Sequence, residues 1–91
     1  MTLFLKDPGA RVDHAVNWDA GYLAGRTILQ SAWTVLPAGA LELTGAQAAA
    51  GRTAIMLVGG TAGQICRVTN RVTLSDGSSD ERSLTVRVEE R

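Results

Sequence analysis

Few side chains in this 91-residue sequence could do chemistry, and their number and spacing argue against it. A nucleophilic cysteine needs a base within reach and a third group to orient that base. Cys66 is the single cysteine and His14 the single histidine, so no second base stands ready and no set of nitrogen and sulfur ligands for zinc can be assembled. Asp76, Asp80 and Glu81, with Ser75, Ser78 and Ser79, gather oxygen ligands in one short segment, as a hard cation such as calcium would want. Their spacing departs from the Asp-x-Asp-x-Asp-Gly loop, and a solvated hairpin accounts for them more simply. Gly59-Gly60-Thr61-Ala62-Gly63 invites comparison with phosphate-cradling loops, but no Lys-Ser or Lys-Thr follows, and a tight connection between strands is the expectation. No catalytic residue, cofactor or metal is therefore expected.

Arg67, Arg71 and Arg87 carry a more specific signal. They alternate with Thr69, Thr73 and Thr85 along two segments that read as neighbouring strands, which gives one flat polar face with a basic stripe. Solvated sheet faces often look like this. The same arrangement also suits a protein contact, because the planar guanidinium pairs with carboxylates and its stem covers apolar area.

The elements that must position these residues are strands. Cys66, Val68, Val72 and Leu74 alternate with polar neighbours, and after the turn residues Ser75-Asp76-Gly77-Ser78-Ser79 the pattern resumes at Leu84, Val86 and Val88, as in an antiparallel pair with a somewhat long loop. Val12, His14, Val16 and Trp18 form another inward face, which makes His14 a core histidine or a lid on the core, and Trp18 a core anchor. Thr27 to Val35 is rich in β-branched and aromatic residues and stops at Pro37-Ala38-Gly39. Arg52 to Val58 is apolar enough to be buried on both sides or covered by a partner. Ala40 to Thr44 is a weaker strand, and Gln47 to Ala50, between two glycines, is a loop or short strand. Asp19 to Gly25 has room for one helical turn capped by Asp19. Short strands at this spacing predict an all-β protein, a β-sandwich of six to seven strands of the immunoglobulin-like or fibronectin-III-like kind, with Trp18 and Trp33 between the sheets.

Composition sets the outer limits. The chain has room for one domain, 1–91, and a modest core. Nine basic and nine acidic residues cancel, so no long-range field gathers nucleic acid, and neutrality at this size suits a protein that assembles. The start, Met1 to Pro8, lacks the pattern of a signal peptide, and the longest aliphatic run, Ala54 to Val58, is far too short to cross a membrane, so a soluble, unprocessed chain is expected. Leu3-Phe4-Leu5 in the segment 1–8, and the end 89–91, are candidate contact tails, for instance as strands added to a neighbour's sheet edge.

Several of these segments, in this order, resemble one family. Phe4-Leu5-Lys6-Asp7-Pro8, Asp13 to Trp18, Thr27-Ile28 through Trp33-Thr34-Val35, Gly59-Gly60-Thr61-Ala62-Gly63 followed by Val68-Thr69-Asn70-Arg71-Val72, and Asp80-Glu81-Arg82-Ser83 are similar to the small tailed-bacteriophage proteins called fiber-tail adaptors. The glycine turn with Thr-Asn-Arg after it, and the late Asp-Glu-Arg-Ser, carry most of the likeness. The alanine-rich Ala40 to Gly51 departs from it. The resemblance implies a non-enzymatic structural protein of the virion, built in the bacterial cytoplasm and seated in the tail or head-to-tail region. Its partners would be other tail, fiber or connector proteins, and it would be present in multiple copies in a symmetric ring. The contact residues expected are Leu3, Phe4, Leu5, Arg67, Arg71 and Arg87, with the turn glycines Gly59, Gly60 and Gly63. A carbohydrate- or receptor-binding module of a phage adhesin is the alternative, and it would need exposed aromatics on which sugars can stack.

Overall fold

The computed structural model describes residues 3–49 and 51–90. Among them run seven strands and one helical turn: β1 Leu3–Lys6, β2 Arg11–Asn17, α1 Ala20–Leu23, β3 Ile28–Leu36, β4 Glu42–Ala49, β5 Arg52–Val58, β6 Ile65–Leu74 and β7 Ser79–Val88. They form a four-stranded sheet in the order β1-β7-β6-β3 and a three-stranded sheet in the order β2-β5-β4. Every paired neighbour is antiparallel except β1, which lies parallel to β7.

Period-two alternation decides which side chains meet between the sheets. Cys66, Val68, Val72 and Leu74 on β6, and Leu84, Val86 and Val88 on β7, are all buried, as are Ile55 and Leu57 on β5. Each such aliphatic contributes about 1.5–3 kcal/mol on leaving water. The β6–β7 hairpin closes more tightly than the five turn residues suggest: Thr73 already faces Ser79, and the Leu74 N–H donates to the Ser78 carbonyl at 2.8 Å. The outer side of β5, at Ala54, Met56 and Val58, is half-buried, so this strand is central in its sheet but not covered on both faces. In the alanine-rich middle, β4 runs through Gln47 to Ala49 as strand, after an irregularity in the ladder between Thr44 and Gln47. Small side chains at a sheet edge leave nearly all of this strand exposed.

Two buried polar groupings organise the core. In the first, the Asn70 carboxamide oxygen accepts from Trp18 Nε1 at 3.1 Å and from the Thr53 hydroxyl at 2.6 Å, while its nitrogen donates to Ser31 Oγ at 2.8 Å and the Ala32 carbonyl at 3.2 Å. Trp18, Thr53 and Asn70 have no exposed surface. In the second, Lys6 at the end of β1 is buried and donates to the Gly59 carbonyl at 2.6 Å and the Asp7 carbonyl at 3.0 Å. Burial holds its pKa below the ordinary lysine value, partly offset by the nearby Asp7 carboxylate.

Asn70 therefore joins β6 to the opposite sheet through Thr53 and to the α1 end through Trp18. Asn70→Ala leaves the buried Thr53 hydroxyl without its acceptor and the buried indole N–H with only the Thr53 oxygen at 3.2 Å, and a buried group short of its partner costs about 1–3 kcal/mol. Urea denaturation is expected to show a loss of about 2–4 kcal/mol for Asn70→Ala, while Thr73→Ala on the outer face of the same strand stays close to wild type.

Candidate protein-contact surface

The sequence places its arginines correctly on one face. In the ladder Arg67 stands opposite Thr85, Thr69 opposite Ser83, Arg71 opposite Glu81, and Arg87 opposite Ile65, all on the outer side of the four-stranded sheet. The stripe is less uniformly basic than the three arginines suggest. Arg87 is ion-paired to Glu89 at 2.7 Å, and Arg71 reaches Ser79 Oγ at 3.4 Å beside Glu81. Arg67 has no hydrogen bond or ion pair among the described residues.

Leu3–Lys6, a candidate strand for a neighbour's sheet, is paired to this chain's own β7. Lys6 fixes its end, and the Glu89 N–H donates to the Lys6 carbonyl at 2.9 Å. Phe4 then turns inward onto the core, while Leu3 and Leu5 turn outward. The contact roles expected of Leu3 and Leu5 thus keep an exposed surface, and Phe4 is largely given to packing. Of the end segment, Glu89 and Glu90 are described and Arg91 lies outside the described residues.

The glycines of the β5–β6 turn have work to do inside the chain. The Gly59 carbonyl receives Lys6. Gly60 has φ +106°, and a Cβ there would lie 2.9 Å from Val88 Cγ2 and 3.0 Å from Leu41 Cδ2. Gly63 has φ +88° but open space around it, and its N–H donates to the Val88 carbonyl at 2.7 Å.

The residues weighed for chemistry are kept apart. Cys66 is buried, its Sγ is 3.7 Å from the Val86 carbonyl, and desolvation pushes its thiol pKa up, away from the thiolate a nucleophile needs. His14 lies on β2 with its ring edge-on to Trp33, centroids 6.1 Å apart, and burial pulls its pKa down. No hydrogen bond joins the two. In the β6–β7 turn Asp76 accepts from the Ser78 N–H and hydroxyl and pairs with Arg26 at 3.3 Å, which holds its pKa down. Asp80 accepts from the Tyr22 hydroxyl, with the same effect on its pKa. Among the described residues no three His, Cys, Asp or Glu side chains are placed to share a metal.

Among the described residues no aromatic ring stands open as a platform for sugar stacking. Trp18 is fully buried, Trp33 packs on the core, and Tyr22 lies beneath Arg26 and against Trp18. A cleft of about 710 Å³ opens where β4 is bare, between Leu23, Ile28, Ala48 and Ala49, and no aromatic lines it.

The segments that carry the family likeness are largely the polar framework of the fold. In Thr69-Asn70-Arg71, Thr69 shares a 2.9 Å hydrogen bond with Ser83 and Asn70 is the buried junction. In Asp80-Glu81-Arg82-Ser83, Asp80 takes the Tyr22 hydroxyl, and Arg82 lies over the Trp18 ring at 4.3 Å while donating to the Asn17 carbonyl at 2.9 Å. Sequence reasoning missed the roles of Lys6, Asn70 and Arg82. The signal was a polar side chain at an inward position of an otherwise apolar alternation.

Two sheets pinned by buried polar contacts, with a mixed aliphatic and cationic face turned outward, define an all-β structural module. The family model described as podophage GP4 fiber-tail adaptor protein gp77 matches residues 6–87. The chain belongs to this family of phage structural proteins. No curated protein matches it.

Two measurements check this account of the site. Gly60→Ala is expected to cost about 2 kcal/mol or more, from overpacking added to backbone strain, and Gly63→Ala, with strain alone, about 1–2 kcal/mol; urea titration of both separates them. For His14, the folded pKa lies below the ordinary 6.5, so the unfolded chain takes up a proton where the folded chain resists it. The stability from its neutral ring is complete above pH 6.5 and is lost as pH falls through the depressed value. A melting midpoint that drops from pH 7.5 to pH 5 in wild type, and drops less in His14→Phe, is the expected result.

Proposed function

We propose that this chain is a structural adaptor of a podophage tail, joining fiber and tail components without catalysis. It is made in the bacterial cytoplasm and takes its place in the virion, in the tail or head-to-tail region, as several copies around a symmetric ring. The match of the family over residues 6–87 carries this reading, since it spans every strand from the end of β1 to β7. The outward Leu3, Leu5 and Arg67 supply contact surface of the mixed kind that interfaces favour.

The strand order supports a finer reading of the fold as immunoglobulin-type. Sandwiches of that type carry strands B, E and D on one sheet and C, F and G on the other. With β2 to β7 taken as B to G, the orders β2-β5-β4 and β7-β6-β3 correspond. The first strand differs, lying beside β7 rather than beside β2.

Deleting the gene from the phage tests the function. Particles with filled heads that lack fibers, restored when the gene is supplied in trans, are the expected outcome. Particles with a full set of fibers overturn it.

A further inference from the structure

The outer face of the four-stranded sheet gathers its exposed aliphatic side chains at one end. Leu3, Thr85, Arg67 and Leu36 form a row across β1, β7, β6 and β3, and Leu5, Arg87 and Ile65 form the next row. At the usual strand spacing the first row is about 14 Å wide. Leu3 is 59% exposed, Leu5 38%, Leu36 65% and Ile65 59%. Single exposed leucines are ordinary on a surface, but four exposed aliphatics in two adjacent rows of one sheet face, around an arginine with no partner among the described residues, are a patch that needs a cover.

Charge decides what the cover is. A two-fold contact centred on the patch would lay Arg67 and Arg87 of one against Arg67 and Arg87 of the other, on a face where Glu81 stands beside Arg71 and Glu89 pairs with Arg87, so that its three arginines outnumber its acids. A head-to-tail contact would have to use another surface, and the outer face of the three-stranded sheet offers Arg11 and Arg52 as well as Asp13 and Glu42, with no net negative charge to receive Arg67. Neither sheet face of a second copy offers the patch a net negative charge.

We propose that this patch seats an acidic, aliphatic surface of another tail protein, with a carboxylate of that protein on Arg67 and its apolar side chains against Leu36 and Ile65. The proposal rests on the adaptor reading, which supplies the partner's class. A guanidinium flanked by aliphatics suits this contact well, because the charge pair is drawn into a surrounding that excludes water and so becomes stronger than a pair at the rim.

The test uses the purified chain and the virion's tail and fiber proteins, each purified and presented in turn. Arg67→Glu and the double variant Leu36→Ser/Ile65→Ser change outward side chains only, so melting midpoints near wild type confirm intact folds. Both are expected to weaken binding to one of these proteins about tenfold or more, Arg67→Lys less. Wild-type affinity should fall as salt is raised, and Arg67→Glu should abolish that dependence. Wild-type binding that neither variant weakens overturns the patch and leaves the adaptor reading standing. Failure of the wild type to bind any of the tail and fiber proteins overturns both. Self-association that Arg67→Glu abolishes overturns the choice of partner in favour of a second copy.

Discussion

The Asn70 carboxamide sits where three parts of the molecule have to agree. Its oxygen is shared by the Trp18 indole and the Thr53 hydroxyl, and its nitrogen is held by Ser31 and Ala32 on the adjoining strand. A leucine at this position would offer more apolar area but no preference for one alignment over the next. The amide accepts one alignment, because a buried donor or acceptor left unpaired costs as much as a good hydrophobic contact gains. The rest of the α1 end follows from where Trp18 is placed. Its ring takes Tyr22 on one side and the Arg82 guanidinium at 4.3 Å, and the Tyr22 hydroxyl in turn donates a hydrogen bond to Asp80.

At the opposite end, Lys6 does for β1 what Asn70 does for the middle. A four-residue strand paired on one side alone would be a weak addition to a sheet. The buried ammonium crosses to the Gly59 carbonyl and so ties this edge of the larger sheet to the end of β5 in the smaller one. Burying a cation against two carbonyls is costly, and its depressed pKa records that cost. What the arrangement secures is orientation: with Lys6 and Phe4 inward, Leu3 and Leu5 point outward, onto the face that carries Arg67 and Arg87.

Alternation made β2, β3, β6 and β7 readable in the sequence, since each carries apolar residues two apart, and it put Arg67, Arg71 and Arg87 on their common face; β5 was readable as a nearly continuous apolar run. It could not show β4 at full length, because Gly45-Ala46-Gln47-Ala48-Ala49 has no amphipathic contrast and becomes a strand through backbone pairing with β5. It could not show β1 as part of the sheet, because parallel pairing with β7 joins the two ends of the chain and leaves no local mark. Gly60 was visible as a turn residue, but its close approach to Val88 and Leu41 is a tertiary fact. The pairing of Arg87 with Glu89, which leaves Arg67 without an ion pair among the described residues, likewise depends on geometry that spacing does not encode.

The core and the outer face are two readings of a single register. On β6 and β7 the side chains that close the sandwich and those that form the patch alternate residue by residue, so a slip of one position would bury Arg67, Arg71 and Arg87 and expose Val68, Val72 and Val86 together. Such a slip is opposed at the middle of the pair and at its turn. A slip would take Asn70 from Trp18, Thr53, Ser31 and Ala32, and the tight turn that brings the Leu74 N–H to the Ser78 carbonyl fixes the pairing of Thr73 with Ser79. The proposed contact surface, being a sheet face, therefore needs no separate device to present it. The buried amide that is satisfied in this register also decides which arginines and leucines face outward.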